Sequence, residues 1–281
     1  MGSAQFNILE VMSSLHAPTT PVRRSMLAAF AAGAAVGILG GLVGLGGAEF
    51  RLPVLIGIFG FVALQAIIVN KAMSLIVVVA AIPARLVAVP ITEVAANWTI
   101  VANLLVGSLA GAWLGASWAT RMRTATLYRV IAVLLVGIAI VFAASHWELL
   151  PEVDLQPAVL VLVGVAAGFG IGVVAAVMGV AGGELLIPTI TVLYGVDVKL
   201  AGSLSLLVSL PTMLVAFFRY SKDQAFGVLR EIPGFVLAMA AGSVVGTIAG
   251  GLLVGVISAA VIAPLVIVLL LASAMKVWQH S

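Results

Sequence analysis

The sequence predicts an all-α polytopic membrane protein. It should hold about 8–10 transmembrane or half-membrane helices, in two inverted repeats of five segments with paired Gly-rich helix breaks. Three observations predict this. First, 63% of the 281 residues are apolar and 8% are charged, and the mean hydropathy is +1.31. A soluble domain could not hide that much apolar side chain, and the apolar runs are long enough to span a bilayer. Second, one short motif occurs twice, 135 residues apart. Third, the charges between the runs segregate by side.

Composition sets further bounds. No stretch is long enough for a second, soluble domain, so the chain reads as one transmembrane domain. The pI near 9.6 reports membrane topology, not nucleic-acid binding, because its arginines and lysines lie mostly in loops. The absence of cysteine excludes disulfides and thiol redox chemistry.

In chain order, residues 1–25 form an N-terminal cytoplasmic lead. Phe6, Leu9, Met12 and Leu15 mark one face of a short interfacial helix, and a mobile tail is the competing reading. A cleaved signal peptide is not expected, since Arg23 and Arg24 follow this segment instead of opening it. The first transmembrane repeat covers 26–145, with apolar segments at 26–46, 52–69, 72–91, 98–119 and 126–145. A periplasmic connection at 146–156 carries Glu148, Glu152 and Asp154. The second repeat covers 157–281, with segments at 157–178, 184–196, 199–218, 232–252 and 255–277. The seventh segment is too short for a full span. It either tilts or forms half of a re-entrant hairpin with its predecessor.

The central motif runs Gly44-Leu45-Gly46-Gly47-Ala48-Glu49-Phe50-Arg51-Leu52-Pro53. Its second copy runs Gly179-Val180-Ala181-Gly182-Gly183-Glu184-Leu185-Leu186-Ile187-Pro188. Glycine opens backbone conformations closed to other residues, and Pro53 and Pro188 each remove a helix donor, so helices entering these stretches should break. Broken backbone at membrane depth is tolerated only where protein or a cavity surrounds it. Paired breaks point to a transport site. Gly33 and Gly37 match Gly168 and Gly172, and Gly107, Gly111 and Gly115 match Gly242, Gly246 and Gly250 at the same offset. Between them the register slips: Ala72 and Ser74 match Ala201 and Ser203, and Pro83 matches Pro211. A shorter connection before Lys199 would account for the slip. Ordered matches along both halves argue for duplication.

Placing Arg23 and Arg24 in the cytoplasm puts Lys71, Arg121, Arg123, Arg129, Arg219, Lys222, Arg230 and Lys276 on the same side. Glu93, Glu148, Glu152, Asp154 and Asp197 fall outside, with Lys199 the one misplaced cation. Five segments per half is an odd number, so the second half is upside down relative to the first, with both termini cytoplasmic.

Glu49 and Glu184 are the sharpest functional candidates, one per repeat at equivalent points. Carboxylates within a span are costly and usually face a cavity or partner, and these two could carry protons or gate a substrate. The competing reading is that each only caps its half-helix. Arg51 lies two residues from Glu49, whereas Glu184 is followed by Leu185 and Leu186. Glu184 therefore has no cation nearby in sequence and should be the better proton carrier. Arg51 and Arg85 are the candidate anion anchors, against snorkelling for Arg85. Gly46, Gly47 and Ala48, with Gly182 and Gly183, offer amides at the starts of two half-helices. These suit an anion without a basic side chain. Close helix packing is the competing reading for the glycines. No Lys-Ser/Thr follows, so this is not a nucleotide loop. Asn70, Ser74, Ser203, Ser205 and Ser209 add hydrogen-bonding groups near the same place. Lys71 reads as an inner-boundary charge. His16, His146 and His280 lie outside the spans, and no metal cluster, cofactor site or activated nucleophile is visible.

At the paired motifs the chain resembles the sulfite exporter TauE/SafE family of bacterial membrane permeases. That family is recognised by two copies of Gly-x-Gly-Gly-Gly followed by a proline. Here Gly44-Leu45-Gly46-Gly47-Ala48 leads to Pro53, and Gly179-Val180-Ala181-Gly182-Gly183 leads to Pro188. Ala48 and Ala181 each stand where the family has glycine. The resemblance implies export or uptake of small anions: sulfite, sulfonates such as sulfoacetate, and other sulfur or organic acids.

The reading is thus an inner-membrane secondary transporter of a small oxyanion, working by alternating access and driven by protons or membrane potential. It is not an enzyme. Its partners are a small anion and the lipid bilayer, with no nucleic acid, and a homodimer is compatible with it. An anion channel and a membrane subunit that needs a partner are the rivals.

Overall fold

The structure, a computed structural model, describes residues 25–43, 46–147, 155–253 and 259–280. The N-terminal lead, the first two motif residues and most of the 146–156 connection lie outside the described residues. Ten principal helices follow in order. They are α1 (Met26–Val43), α2 (Ala48–Gly57), α3 (Ala63–Ala88), α4 (Trp98–Ala119), α5 (Thr124–His146), α6 (Pro157–Met178), α7 (Gly183–Tyr194), α8 (Val198–Tyr220), α9 (Pro233–Leu253) and α10 (Ala259–Trp278). Short helical turns at Ile91–Ala96 and 224–231 join α3 to α4 and α8 to α9. No strand occurs among the described residues. Seven helices there are long and apolar enough to cross a membrane: α3, α4, α5, α6, α8, α9 and α10. α1 and α7 are shorter apolar helices, and α2 has 10 residues.

Two glycine seams hold the bundle. Each seam joins a helix of one half to a helix of the other. α1 lies on α9: a Cβ at Gly33 would run into the Met239 carbonyl oxygen, and one at Gly37 into that of Ser243. From the other side, Gly242, Gly246 and Gly250 sit against the carbonyls of Phe30, Ala34 and Ile38. α6 lies on α4 in the same way. Gly168 and Gly172 face Leu104 and Ser108, while Gly107, Gly111 and Gly115 face Val165, Phe169 and Val173. These five contacts of one seam each recur 135 residues away in the other, so the glycines matched in sequence do equivalent packing. Small residues let backbones approach closely where lipid supplies no hydrophobic drive.

The apolar run 52–69 is not one segment. α2 ends at Gly57, the chain turns through 58–62, and α3 begins at Ala63 instead of 72. Gly60 takes a left-handed φ of 69° in this turn. Phe59 and Phe61 pack on the Phe235 ring of α9, with centroids 4.9 and 5.5 Å away. The turn is thus buried in protein, as irregular backbone within a membrane must be. The equivalent connection, 195–197, is shorter, but α3 and α8 still begin 135 residues apart. The connection therefore does not produce the slip: Ser74 and Ser203 sit at different depths of their helices. Pro53 and Pro188 do not break helices either. α2 and α7 run through both, and the breaks lie upstream at the glycines. Each proline instead leaves the carbonyl four residues earlier, that of Glu49 or Glu184, without its helical donor.

Candidate functional site

The two half-helices begin alike. Gly47 precedes α2 with φ 73°, and Gly182 precedes α7 with φ 85°, both left-handed. A side chain at either would be strained, and at Gly47 it would also strike the Val36 carbonyl oxygen. α6 ends at Gly179 in a Schellman-type turn, where Gly179 N–H donates to Ala176 O at 3.1 Å and Val180 N–H to Ala175 O at 3.1 Å. The first amides of α2 and α7 then have no partner within their own helices. Neither helix has a side-chain cap.

Arg51 points into this region and is fully buried. Its Nε donates to Asn70 Oδ1 at 2.8 Å, one terminal nitrogen to Ser243 Oγ at 3.1 Å, and the other to Ser74 Oγ at 2.6 Å and Asn70 O at 3.5 Å. Asn70 in turn donates to Ala48 O at 3.0 Å and Met178 O at 3.2 Å, and Ser74 to Gly179 O at 3.3 Å. The guanidinium therefore ties α2 to α3 and α9, and Asn70 ties the first break to the second. Each of these acceptors of Arg51 is a neutral oxygen.

Lys71 is not an inner-boundary charge. With α3 beginning at Ala63 it lies well inside the helix, fully buried. Its ammonium donates to Ala175 O at 2.7 Å and Val180 O at 2.6 Å, closing the end of α6. These carbonyls carry the negative end of the helix dipole, so a cation suits the position. Through Val180 O, four residues before Glu184, Lys71 brings a cation of α3 near the start of α7, whose own helix supplies none.

Glu49 and Glu184 occupy the first turns of α2 and α7, only 2% and 4% exposed. Their carboxyl groups face each other closely enough to interact. The two carboxyls pair with each other, and neither oxygen of Glu184 nor Oε2 of Glu49 accepts from any other side chain. A buried carboxyl pair with so few donors calls for an explanation in function.

Beside them lies a cavity of about 650 Å³. Gly46 of the first break and Ala181 and Gly183 of the second open on it, with Ser205 and Ser209 of α8 and Thr247 of α9. Thr247 Oγ1 is buried without a partner, as is Ser203 Oγ outside the cavity lining. Ser205 donates to Gly202 O at 2.9 Å within its own helix. The rest of the wall is mostly apolar, including Val77, Val78, Leu206 and Ile248.

Of the residues singled out from sequence, Gly46, Gly183, Ser205 and Ser209 line the cavity, and Ser203 does not. Gly47, Ala48 and Gly182 form the adjacent helix starts. Glu49, Glu184, Arg51, Asn70 and Ser74 form a buried layer behind them. The side chain of Arg85, in α3, lies outside the described residues. Lys71, Ser243 and Thr247 join the site without having been assigned to it. Lys71 had a signal: between Arg51 and Arg85 it is the sole charged residue.

Buried charges at paired helix breaks, beside a cavity in a bundle of membrane-length helices, define a multi-pass membrane transport protein. The family model of the sulfite exporter TauE/SafE matches residues 29–277, and the chain belongs to that family. It is accordingly a permease and not an enzyme. No curated protein and no solved structure matches the chain.

Proposed function

We propose that this chain is a secondary transporter that carries sulfite, or a related sulfonate or organic oxyanion, across the bacterial inner membrane by alternating access with proton coupling. The observation that carries the reading is the meeting of two half-helix starts at one cavity, with two buried carboxyl groups that face each other behind it. Free amides and helix dipoles at Gly46, Gly47, Ala48, Gly182 and Gly183 attract an anion. The Ser209 and Thr247 hydroxyls, on the cavity wall, supply further donors. Arg51, held by Asn70, Ser74 and Ser243, contributes positive potential and keeps the two breaks together. Glu49 and Glu184 carry the coupled protons. The two halves are oppositely oriented in the membrane, with both termini cytoplasmic.

The test is reconstitution of the purified protein alone in proteoliposomes with sulfite as the probe. A carrier gives saturable flux, and an inward proton gradient drives sulfite above equilibrium. Flux that never saturates and only dissipates gradients would make the protein a channel. Inert vesicles would refute self-sufficient transport.

A further inference from the structure

We propose that a second anion cavity lies closed on the far side of the two breaks, and that Lys71 both shuts it and becomes its anion ligand when it opens. The inference rests on the alternating-access reading above and names the residue that meets the anion on the other face. The open cavity is walled by the C-terminal half of α3, from Val77 to Ala81, and by Ser205, Leu206 and Ser209 in the N-terminal half of α8. The repeat that relates the two glycine seams also relates these helices, since α3 and α8 begin 135 residues apart. Applied to the cavity wall, that offset carries Ser205, Leu206 and Ser209 onto Asn70, Lys71 and Ser74. It carries Val77, Thr247 and Gly251 onto Thr212, Ala112 and Ala116. These counterparts lie on the opposite halves of α3 and α8, and on α4 in place of α9, so they flank the breaks from the other side. That side is shut: all six are between 0% and 3% exposed, whereas the open cavity reaches the surface at Ile248 and Leu252.

The residues that shut this side differ in kind from their counterparts. Asn70 donates to Met178 O at 3.2 Å, Lys71 to Ala175 O at 2.7 Å and Val180 O at 2.6 Å, and Ser74 to Gly179 O at 3.3 Å. One short stretch of α3 is thereby fastened to the end of α6 through four bonds. The open half has no such fastening. Ser205 bonds to Gly202 O within its own helix, Leu206 has no donor, and the cavity separates both from Gly41 and Gly46 at the end of α1. The two halves hold one device in its two settings, and alternating access exchanges them: the open side closes while α3 leaves α6.

Letting go of α6 takes the Lys71 ammonium away from two carbonyl oxygens inside the protein. An ammonium left there without acceptors is costly. A small oxyanion replaces both acceptors at once, in a charge-assisted bond stronger than one to a neutral oxygen. The compact charge on a flexible stem suits such an anion whatever its shape. The anion therefore releases the latch: the empty protein stays shut on this side, and the loaded one opens. Leu206 can play no such part on the open side, where hydroxyls and helix-start amides meet the anion instead.

The chain has no cysteine, so single cysteines at Val77 and Ala112 report the two sides. Purified protein in detergent is labelled with N-ethylmaleimide, and methanesulfonate, which does not consume the reagent, serves as the anion. Val77→Cys should label readily at rest and slow down as methanesulfonate is added. Ala112→Cys should label at least about tenfold more slowly than Val77→Cys at rest, because the latch bonds must break first, and should speed up with methanesulfonate. Lys71→Leu, which copies the open half, should make Ala112→Cys label fast without anion and abolish its response. An Ala112→Cys chain that stays unreactive at saturating methanesulfonate, while Val77→Cys responds, would deny the second cavity. That arm leaves Lys71 in place and holds even where Lys71→Leu fails to fold. A Lys71→Leu chain that labels slowly at rest, or gains as much from methanesulfonate as its parent, would remove Lys71 from the gate. If methanesulfonate alters neither cysteine, the anion-transport reading falls, and the second cavity with it.

Discussion

Arg51 stands out in sequence as a charge without a counterpart in the second repeat, where Leu186 takes its place. In the fold its three nitrogens serve Asn70, Ser74 and Ser243 at once. A lysine presents a point charge and cannot span these acceptors. Arg51→Lys should therefore lower the melting temperature, at a cost of about 1–3 kcal/mol for the lost charge-assisted bonds. The folded fraction should keep its apparent sulfite affinity. Weakened affinity with an unchanged melt would place the guanidinium on the anion instead. Glu49→Gln and Glu184→Gln follow a different logic. The amide keeps size and hydrogen-bonding capacity while losing titration. Both variants should express and bind sulfite, yet lose the pH dependence of transport. Retention of the wild-type pH profile in both would remove the glutamates from coupling.

At the scale of the element, the paired breaks are legible because their chemistry leaves a mark. Gly47 and Gly182 must be glycine for a left-handed φ, and the repeat displays that need twice. The seams are legible for a similar reason, since Gly107, Gly111 and Gly115 recur as Gly242, Gly246 and Gly250. The end of α2 leaves almost no mark. From Leu52 to Val69 the chain has no charged residue, and only Gly57 and Gly60 hint at the turn that Phe59, Phe61 and Phe235 bury. That one misplaced boundary moved Lys71 from mid-membrane to an apparent edge. The polar cluster behind the breaks is hidden with it, because its members meet through contacts between α2, α3, α6 and α9 that no local pattern encodes. The seams make their own prediction. Gly246→Leu pushes a side chain into the Ala34 carbonyl oxygen, and the α1 backbone would have to withdraw. Disruption of tight packing costs about 1–3 kcal/mol, so this variant should melt earlier than the wild type. Gly251→Leu, beside it on α9 but with open space at its Cβ position, should melt like the wild type. Equal melts for the two would dismiss the seam as a stabilising feature.

At the scale of the whole molecule, the seams exchange partners between the halves. α1 rests on α9 and α4 rests on α6, so each sequence repeat lends its fourth helix to the other. A motion of one repeat against the other would tear both seams. Under the proposed alternating access, the bodies that move would instead be mixed units, each with one break, one seam and helices from both halves. That arrangement makes the orientation of the repeats a question about the entire bundle. The proposed orientation, argued from charge placement, puts Arg121, Arg123 and Arg230 on the cytoplasmic side and the 146–156 connection in the periplasm. Reassigning Lys71 to the membrane interior removes one charge from that pattern and leaves its sign unchanged. The chain contains no cysteine, so single introduced cysteines report without background. Gln156 and Arg121 are both exposed and suit the purpose. In whole cells, Gln156→Cys should react with a membrane-impermeant maleimide, and Arg121→Cys only after the membrane is opened. Labelling of both from outside would deny α5 its crossing and with it the odd number of spans per half, and labelling of Arg121→Cys alone would reverse the orientation of the bundle. Every step that assigns a side to the two half-helices would then have to be reversed.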